Sequence, residues 1–351
     1  MNSHISLKES IQQLAKDLNI QKIGFSNAEN FEYLRKSLLE QKAAGHTSGF
    51  EHQNLDERLQ PRLSVEDAKT IISIGLAYPS KMPKFERSEY RRGSFARASW
   101  GEDYHVILNE KLKNLAQGIE QLAGTFHFKA MVDTGALIDV AVAARAGLGF
   151  IGKNGLLISK EYGSWLYLGE LVTNLEIEPD VPVTYNCGDC TRCLDFCPTK
   201  ALFGDGRMNA QRCLSFQTQN KGIMDEEYRE KIKTVIYGCD ICQIVCPYNK
   251  GIDNHFHQKM EPDPELVNPE LIPLLNLSNK QFTDKFGRLA GSWRGKNPIQ
   301  RNAIYALANA NDKSAIPKLR EIAGIAPRDD MVDAAKWALR KLDKSDKADK
   351  A

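Results

Sequence analysis

The chain has 351 residues, 42% hydrophobic and 26% charged, which suits two or three soluble domains and excludes the disordered and fibrous classes. Its 47 basic and 45 acidic residues leave a formal charge of +2, so net charge by itself selects no partner. The opening MNSHISLKESIQQLAKDLNI mixes charged and apolar residues at helical spacing, and no later stretch approaches a membrane span. Neither a signal peptide nor a membrane anchor is expected. The expected compartment is the cytoplasm, where clustered cysteines read as metal ligands before they read as disulfides.

From the start to about residue 180 the pattern alternates helix-like and strand-like segments. TIISIGLAYPS (70–80) reads as a buried strand, NEKLKNLAQGIEQLAG (109–124) as an amphipathic helix, and FHFKAMVD (126–133) as a second strand. SWLYLGELVTNLEIE (164–178) supplies a third. This order predicts an α/β domain, a sheet covered by helices, over 1–180. The glycine-rich AGLGFIGKNG (146–155) contains G-x-G-x-x-G at Gly147, Gly149 and Gly152, but it follows a predicted helix and lacks an acidic ribose partner, so a dinucleotide site is not expected. Its glycines would let backbone amides approach a flat ring.

All eight cysteines lie within a second region, 181–255. Cys187, Cys190, Cys193 and Cys197 read C-x2-C-x2-C-x3-C-P, the ferredoxin spacing in which three thiolates hold one cubane and the fourth reaches to another. Cys239, Cys242, Cys246 and Pro247 form a shortened copy. If Cys246 completes the first cluster with Cys187, Cys190 and Cys193, then Cys197, Cys239 and Cys242 need one more ligand, and Cys213 remains. Two [4Fe–4S] clusters use every thiol. Paired zinc sites are disfavoured by the third cysteine at x2, by the prolines and by the lack of histidine in the span.

The third region, 256–351, opens with the proline-broken EPDPELVNPELIPLL and is then helical. AIYALA (303–308) and AKWALR (335–340) share a pattern expected of stacked helical hairpins in a HEAT-like repeat, and KLDKSDKADKA is expected to fray. Lys280, Lys285, Arg288, Arg294, Lys296 and Arg301 face one acidic residue, Asp284, while Arg87, Arg91, Arg92 and Arg97 make a second basic group. Either could meet a polyanion.

MVDTGALIDVAVAARAGLGFIGKNGLLISKEYGSWLYLGEL (131–171), GSWRGKNPIQRNA (291–303) and RASWGEDYH (97–105), in order around the cysteine pattern, resemble the epoxyqueuosine reductases, cobalamin-dependent iron–sulfur enzymes of tRNA modification. The resemblance spans nearly the whole chain. It implies that the first domain binds cobalamin, that the clusters pass electrons to it, and that the repeats hold tRNA while the epoxide at the wobble position becomes the alkene of queuosine, the last step of queuosine biosynthesis. It implies Asp133 as the acid, also beside the cobalamin, with Arg58, Leu157, Leu168, Ser215 and Asp240 as further cobalamin contacts.

Elementary readings compete at several of these positions. Asp133 could merely cap a helix from Thr134, with Asp139 the rival carboxylate. Asp103 and His105 lack the glycine of a cobalt-ligating motif and read as a helix start with a structural histidine, so cobalamin without a histidine below the metal is expected. Trp293 is expected in the core. Arg294, Lys296, Arg301 and Lys221 are expected at tRNA, the charges taking phosphates. Ala96 stands where some relatives carry cysteine, so no thiol there is needed. Reductive dehalogenation, pure electron transfer and a zinc-stabilised RNA module are the rival functions; the electron donor stays unidentified and a monomer is expected.

Overall fold

The computed structural model describes residues 6–84, 88–325 and 327–348, and Arg87 of the second basic group lies outside them. Strand β1 (Lys22–Asn27) pairs with β2 (Thr70–Ala77), the first predicted strand. Two-residue β3 (Ser94–Phe95) follows, then β4 (Phe128–Met131), the hairpin of β5 (Phe150–Ile151) with β6 (Leu157–Ile158), and β7 (Leu166–Thr173). The main sheet runs β1-β2-β7-β4 with every neighbouring pair antiparallel. The strand–helix–strand unit is still present: β2 and β4 both oppose β7, so they run parallel to each other with β7 between them.

Alternation along β2 decides how the sheet is covered. Ile72, Ile74 and Leu76 enter a core with helices α1 (Leu7–Asp17) and α2 (Tyr104–Ala123), which brings Leu108, Leu112 and Leu115. Ile71 faces the other way, toward α3 (Asp139–Arg145) with Ala141 and Val142. A fully buried Leu or Ile contributes roughly 1.5–3 kcal/mol. Both faces are therefore closed by helices, as the apolar periodicity demanded.

The second and third regions share one core. Phe95 and Trp100, from the first region, pack with Leu214, Ile236, Leu271, Phe286, Ile304 and Leu342. Strand β3 pairs in parallel with β8 (Val235–Tyr237), carrying residues 94–100 out of the expected first domain and into this second body. Helices α5 (Lys296–Asn309), α6 (Ile316–Ile325) and α7 (Asp329–Ala348) stack at its far side, after α4 (Leu214–Gln219), with Tyr305 edge-on to Trp337 at 5.3 Å. The expected fraying from Lys341 does not occur: Leu342 is buried, Lys341 pairs with Glu230 at 2.6 Å, and helix continues to Ala348. Residues 349–351 lie outside the described residues.

Arg301 was expected at tRNA, but it is 1% exposed. Its guanidinium donates to the carbonyls of Gln217 (3.0 Å), Asn220 (2.8 Å) and Gly222 (2.6 Å) and to Asn302 Oδ1. Glycine at 222 with φ 83° lets the turn present those carbonyls. Arg301 thus ties α5 to the turn after α4, and Lys221 rides exposed on that turn. Arg301→Ala would strand three carbonyls and is expected to destabilise the protein by roughly 3 kcal/mol, read as a lowered melting temperature with iron content unchanged before heating.

Candidate active site

Cys187, Cys190, Cys193 and Cys246 line one cavity of about 300 Å³, together with Lys153, Asn154 and Tyr248. Lys153 Nζ donates to the carbonyls of Gly188 (2.8 Å) and Cys190 (3.1 Å), setting a cation against the sulfur cage. Burial raises the Cys193 thiol, with Cys187 and Cys246 adding to it; burial also raises Cys246, with Cys187 and Cys190. The remaining four cysteines form a second neighbourhood. Burial pushes Cys239 up to about 12, helped by Cys213 and Cys197, and drives Cys242 up with Cys239 and Cys213 beside it. Burial also acts on Cys197, but the Ala201 N–H at 3.4 Å and the Thr199 hydroxyl outweigh it and lower that thiol.

Crowded buried thiols that resist ionisation singly are suited to an iron core whose positive charge relieves them collectively. Among the described residues no three His, Cys, Asp or Glu side chains close on a single ion, and the first four sulfurs surround a volume instead. Cys242 also senses Cys193, so the two groups are neighbours.

On the sheet side, Asp133 follows β4 and adopts φ 49°, the left-handed region. The capping reading fails, because residues 134–138 are bends and irregular chain and α3 begins only at Asp139. The Asp133 N–H donates instead to Asp139 Oδ2 at 3.1 Å. Its carboxylate meets His105 Nε2 at 3.3 Å, and His105 Nδ1 meets Asp103 Oδ1 at 2.7 Å. Asp103 also caps α2, accepting the His105 N–H. The expected helix start is present, but its histidine reaches the acid 28 residues ahead. Asp103, then Asp133, raise His105 to about 9, and His105 in turn holds Asp133 below the ordinary carboxylate range. Asp133 is therefore ionised at neutral pH, and the available proton sits on His105. Tyr104 hydrogen-bonds Asp133, and the charges of Asp133 and Asp103 reach Tyr237 on β8, two residues before Cys239. The carboxylate thus lies within electrostatic reach of the strand that leads to the second thiol group.

The cobalamin candidates fall into separate places. Leu157 and half-buried Leu168 join one apolar cluster with Leu148 and Leu166. Ser215 lies on α4 beside Cys213, to which its N–H donates. Asp240 is buried, and its carboxylate is occupied by the Arg97 N–H and guanidinium, both at 2.9 Å. Arg58 is partly buried near Glu51, in the segment that brings Phe50 against Phe216 and Trp293. The glycine run has a reason inside the fold. A Cβ on Gly147 would stand 2.8 Å from Val181 O, on Gly149 2.3 Å from Ile158 O, and on Gly155 2.8 Å from Gly206 O, so these glycines are required by the chain's own backbone.

Trp293, expected in the core, is 52% exposed. Its Nε1 donates to Gln219 Oε1 at 3.0 Å, the oxygen that Tyr237 OH also reaches at 3.3 Å. Phe50 meets it edge-on at 5.1 Å, and the Arg294 guanidinium lies over Trp293 at 4.8 Å and Phe50 at 5.1 Å. Lys296 donates to Leu277 O at 3.1 Å from a partly buried position. Of the described members of the second basic group, Arg92 pairs with Glu265 at 2.7 Å and Arg97 with Asp240, while Arg91 is exposed. Phe50, Tyr104, Gln219 and Tyr237 escaped the sequence reading; nothing local marks them, since each joins the site through partners far along the chain.

Fold and thiol geometry define a protein with two iron–sulfur clusters beside a carboxylate–histidine pair. "Epoxyqueuosine reductase QueG, DUF1730" matches residues 58–134, and "4Fe-4S double cluster binding domain" matches 186–249. The epoxyqueuosine reductase of Lactococcus garvieae is 75% identical over 96% of this chain and 97% of its own. A crystal structure of an epoxyqueuosine reductase with an epoxyqueuosine-modified tRNA stem loop is 50% identical, covers 96% of this chain and 90% of its own, and superposes with a TM-score of 0.93. A Bacillus subtilis epoxyqueuosine reductase structure, with its aspartate catalytic loop swung out of the active site, gives 0.92 at 50% identity over the same shares, 96% and 90%. This chain belongs to the epoxyqueuosine reductase family.

Because His105 is raised by its two carboxylates, the pairing is complete below about pH 6.5 and is lost as pH rises through about 9. NMR titration of the imidazole should find its midpoint near 9 in the native chain and nearer 6.5 in Asp103→Asn.

Proposed function

We propose that this chain reduces the epoxide of epoxyqueuosine, at the tRNA wobble position, to the alkene of queuosine. The substrate gains two electrons and two protons and loses its oxygen as water. The observation that carries this reading is a chain of contacts: Asp133 on His105, Tyr237 within reach of the Asp133 charge and two residues before Cys239, and Gln219 joining Tyr237 to the exposed Trp293. The family membership supports the same substrate.

Two [4Fe–4S] clusters, held by Cys187, Cys190, Cys193 and Cys246 and by Cys197, Cys213, Cys239 and Cys242, and a cobalamin, when bound, supply electrons to the epoxide singly. The fit for cobalamin rests on the half-buried apolar surface that Leu166 and Leu168 make with Leu157; Arg58 and Ser215 are further candidates from other parts of the chain. Asp240 serves through Arg97, by fixing the backbone after Cys239.

His105 passes its proton to the Asp133 carboxylate, which relays it to the oxygen as the carbon–oxygen bond breaks, with Asp103 holding the imidazole in line. This replaces the expectation of a neutral carboxylic acid. On the RNA side, Trp293 offers a face to a splayed base, Arg294 and Lys221 offer charge to phosphates, and Lys296 supports the start of α5. The functional division is a cobalamin domain over 1–180, a ferredoxin-like domain over 181–255 and HEAT-like helices over 256–351. The cytoplasmic monomer remains part of the proposal.

The test is an anaerobic reaction of reconstituted protein with cobalamin, a chemical reductant and epoxyqueuosine-containing tRNA, followed by mass measurement of the nucleoside. Loss of one oxygen is expected, with Asp133→Asn slower by about 100-fold or more at unchanged iron content. An oxygen retained by fully loaded wild type would overturn the reading. Lys221→Ala should weaken tRNA binding and lower the slope of log affinity against log salt by about 1.

A further inference from the structure

Beneath the Asp133 loop the sheet carries a buried polar patch that the proposed chemistry does not use. In the ladders, Ser73 of β2 and Met131 of β4 both stand opposite Glu170 of β7. Residues opposite one another point to the same face, here the face covered by α3. Ser73 and Glu170 are completely buried, and Asp139, the first residue of α3, turns its carboxyl inward toward Glu170. Among the described residues Ser73 Oγ, Asp139 Oδ1 and both Glu170 carboxyl oxygens are given no donor by any other residue, and the two carboxyls meet each other. Such groups are costly in a core and call for a physical reason.

Glu170 and Asp139 are close enough for their charges to interact strongly. Two carboxylates in surroundings this dry cannot both ionise. A proton held between them is the one donor the arrangement leaves for Glu170. Burial, then the charge of Asp139, raise Glu170 well above the carboxylate range; burial, then the charge of Asp133, push Asp139 up to about 6. Near neutral pH the proton therefore resides on Glu170 and the charge on Asp139, whose other oxygen accepts the Asp133 N–H at 3.1 Å. That bond anchors a non-glycine residue in the left-handed region, a conformation that persists only where its surroundings enforce it.

We propose that Glu170 and Asp139 are positioning residues that keep one proton between them at neutral pH, and that this singly protonated pair sets the loop carrying Asp133. The inference rests on the reading of Asp133 as proton donor. The groups facing Asp139 are Glu170 from β7, Ser73 from β2 and Asp133 from its own loop, with Tyr104 and His105 of α2 beyond Asp133. Both carboxyls titrate above their ordinary range, so below about pH 6 Asp139 also takes a proton, and above that the singly protonated pair persists until pH rises through its upper titration, where it is lost. His105 also discharges on the alkaline side, so the substitutions must separate the two.

The test uses the full chain with its clusters. Infrared difference spectroscopy at pH 7 should show a protonated carboxyl band in wild type that is absent from Glu170→Gln. Hydrogen exchange of the amides of residues 133–138 should be at least tenfold faster in Glu170→Leu and close to wild type in Glu170→Gln, whose amide replaces the shared proton as donor. On raising pH to 9, wild type should lose protection earlier than Glu170→Gln. With tRNA substrate, Glu170→Leu should lower kcat about tenfold at unchanged KM. No protonated band in wild type, or alkaline loosening identical in wild type and Glu170→Gln, would overturn the proposal, the latter assigning the loop to His105. Should Glu170→Leu lose its clusters, the band and the Glu170→Gln profile decide. Infrared and exchange need no substrate, so an inactive chain with these signatures defeats the proposed reaction alone.

Discussion

The two-residue parallel pairing of β3 with β8, locked by Arg97 and Asp240, fastens the segment ahead of α2 to the sulfur-bearing body and fixes Tyr237 and Cys239 against it. Ala96 N–H donates to Tyr237 O at 2.8 Å, and the next residue clamps Asp240 through its backbone and its guanidinium. A Cβ at Gly238 would come 2.4 Å from Ala96 Cβ, so the strands approach at a distance only glycine permits. A buried ion pair loses in desolvation much of what it gains in attraction, and its chief contribution here is register. Register is what the site needs, because Asp240 follows Cys239 and Tyr237 precedes it.

Around that contact the molecule separates its two kinds of charge carrier. Electron-bearing sulfur lies on the β8 side, deep enough to raise most of the thiols. Protons lie on the sheet side, stored on His105 at the mouth and between Glu170 and Asp139 beneath it. The partly exposed aromatic and cationic group of Trp293, Phe50 and Arg294 is tied to β8 through Gln219 and Tyr237.

The cysteine pattern was legible because its ligands are set by local spacing, and the sheet strands because both faces of β2 are apolar. Orientation was not legible. In GSWRGKNPIQRNA the tryptophan and the second arginine exchange their expected places: Arg301 turns inward because the carbonyls of 217–222, some eighty residues earlier, need donors, and that leaves Trp293 outside. The glycine run looked like a cradle but answers to backbone carbonyls at Val181, Ile158 and Gly206. His105 was visible as part of a helix start, yet its tie to Asp133 depends on how α2 crosses β4, which no periodicity encodes. The final helix likewise outlasts its charged sequence because Leu342 finds a core.

The shared core of the second body bears on how the protein is made. Cys239 packs against a framework that takes Phe95 and Trp100 from the first third of the chain and Leu342 from the last helix. These contacts are distant in sequence and form late in folding. The framework around Cys239 is thus unfinished until nearly the entire chain is available, so a shortened C-terminus would remove support from a cysteine that lies far upstream of the cut.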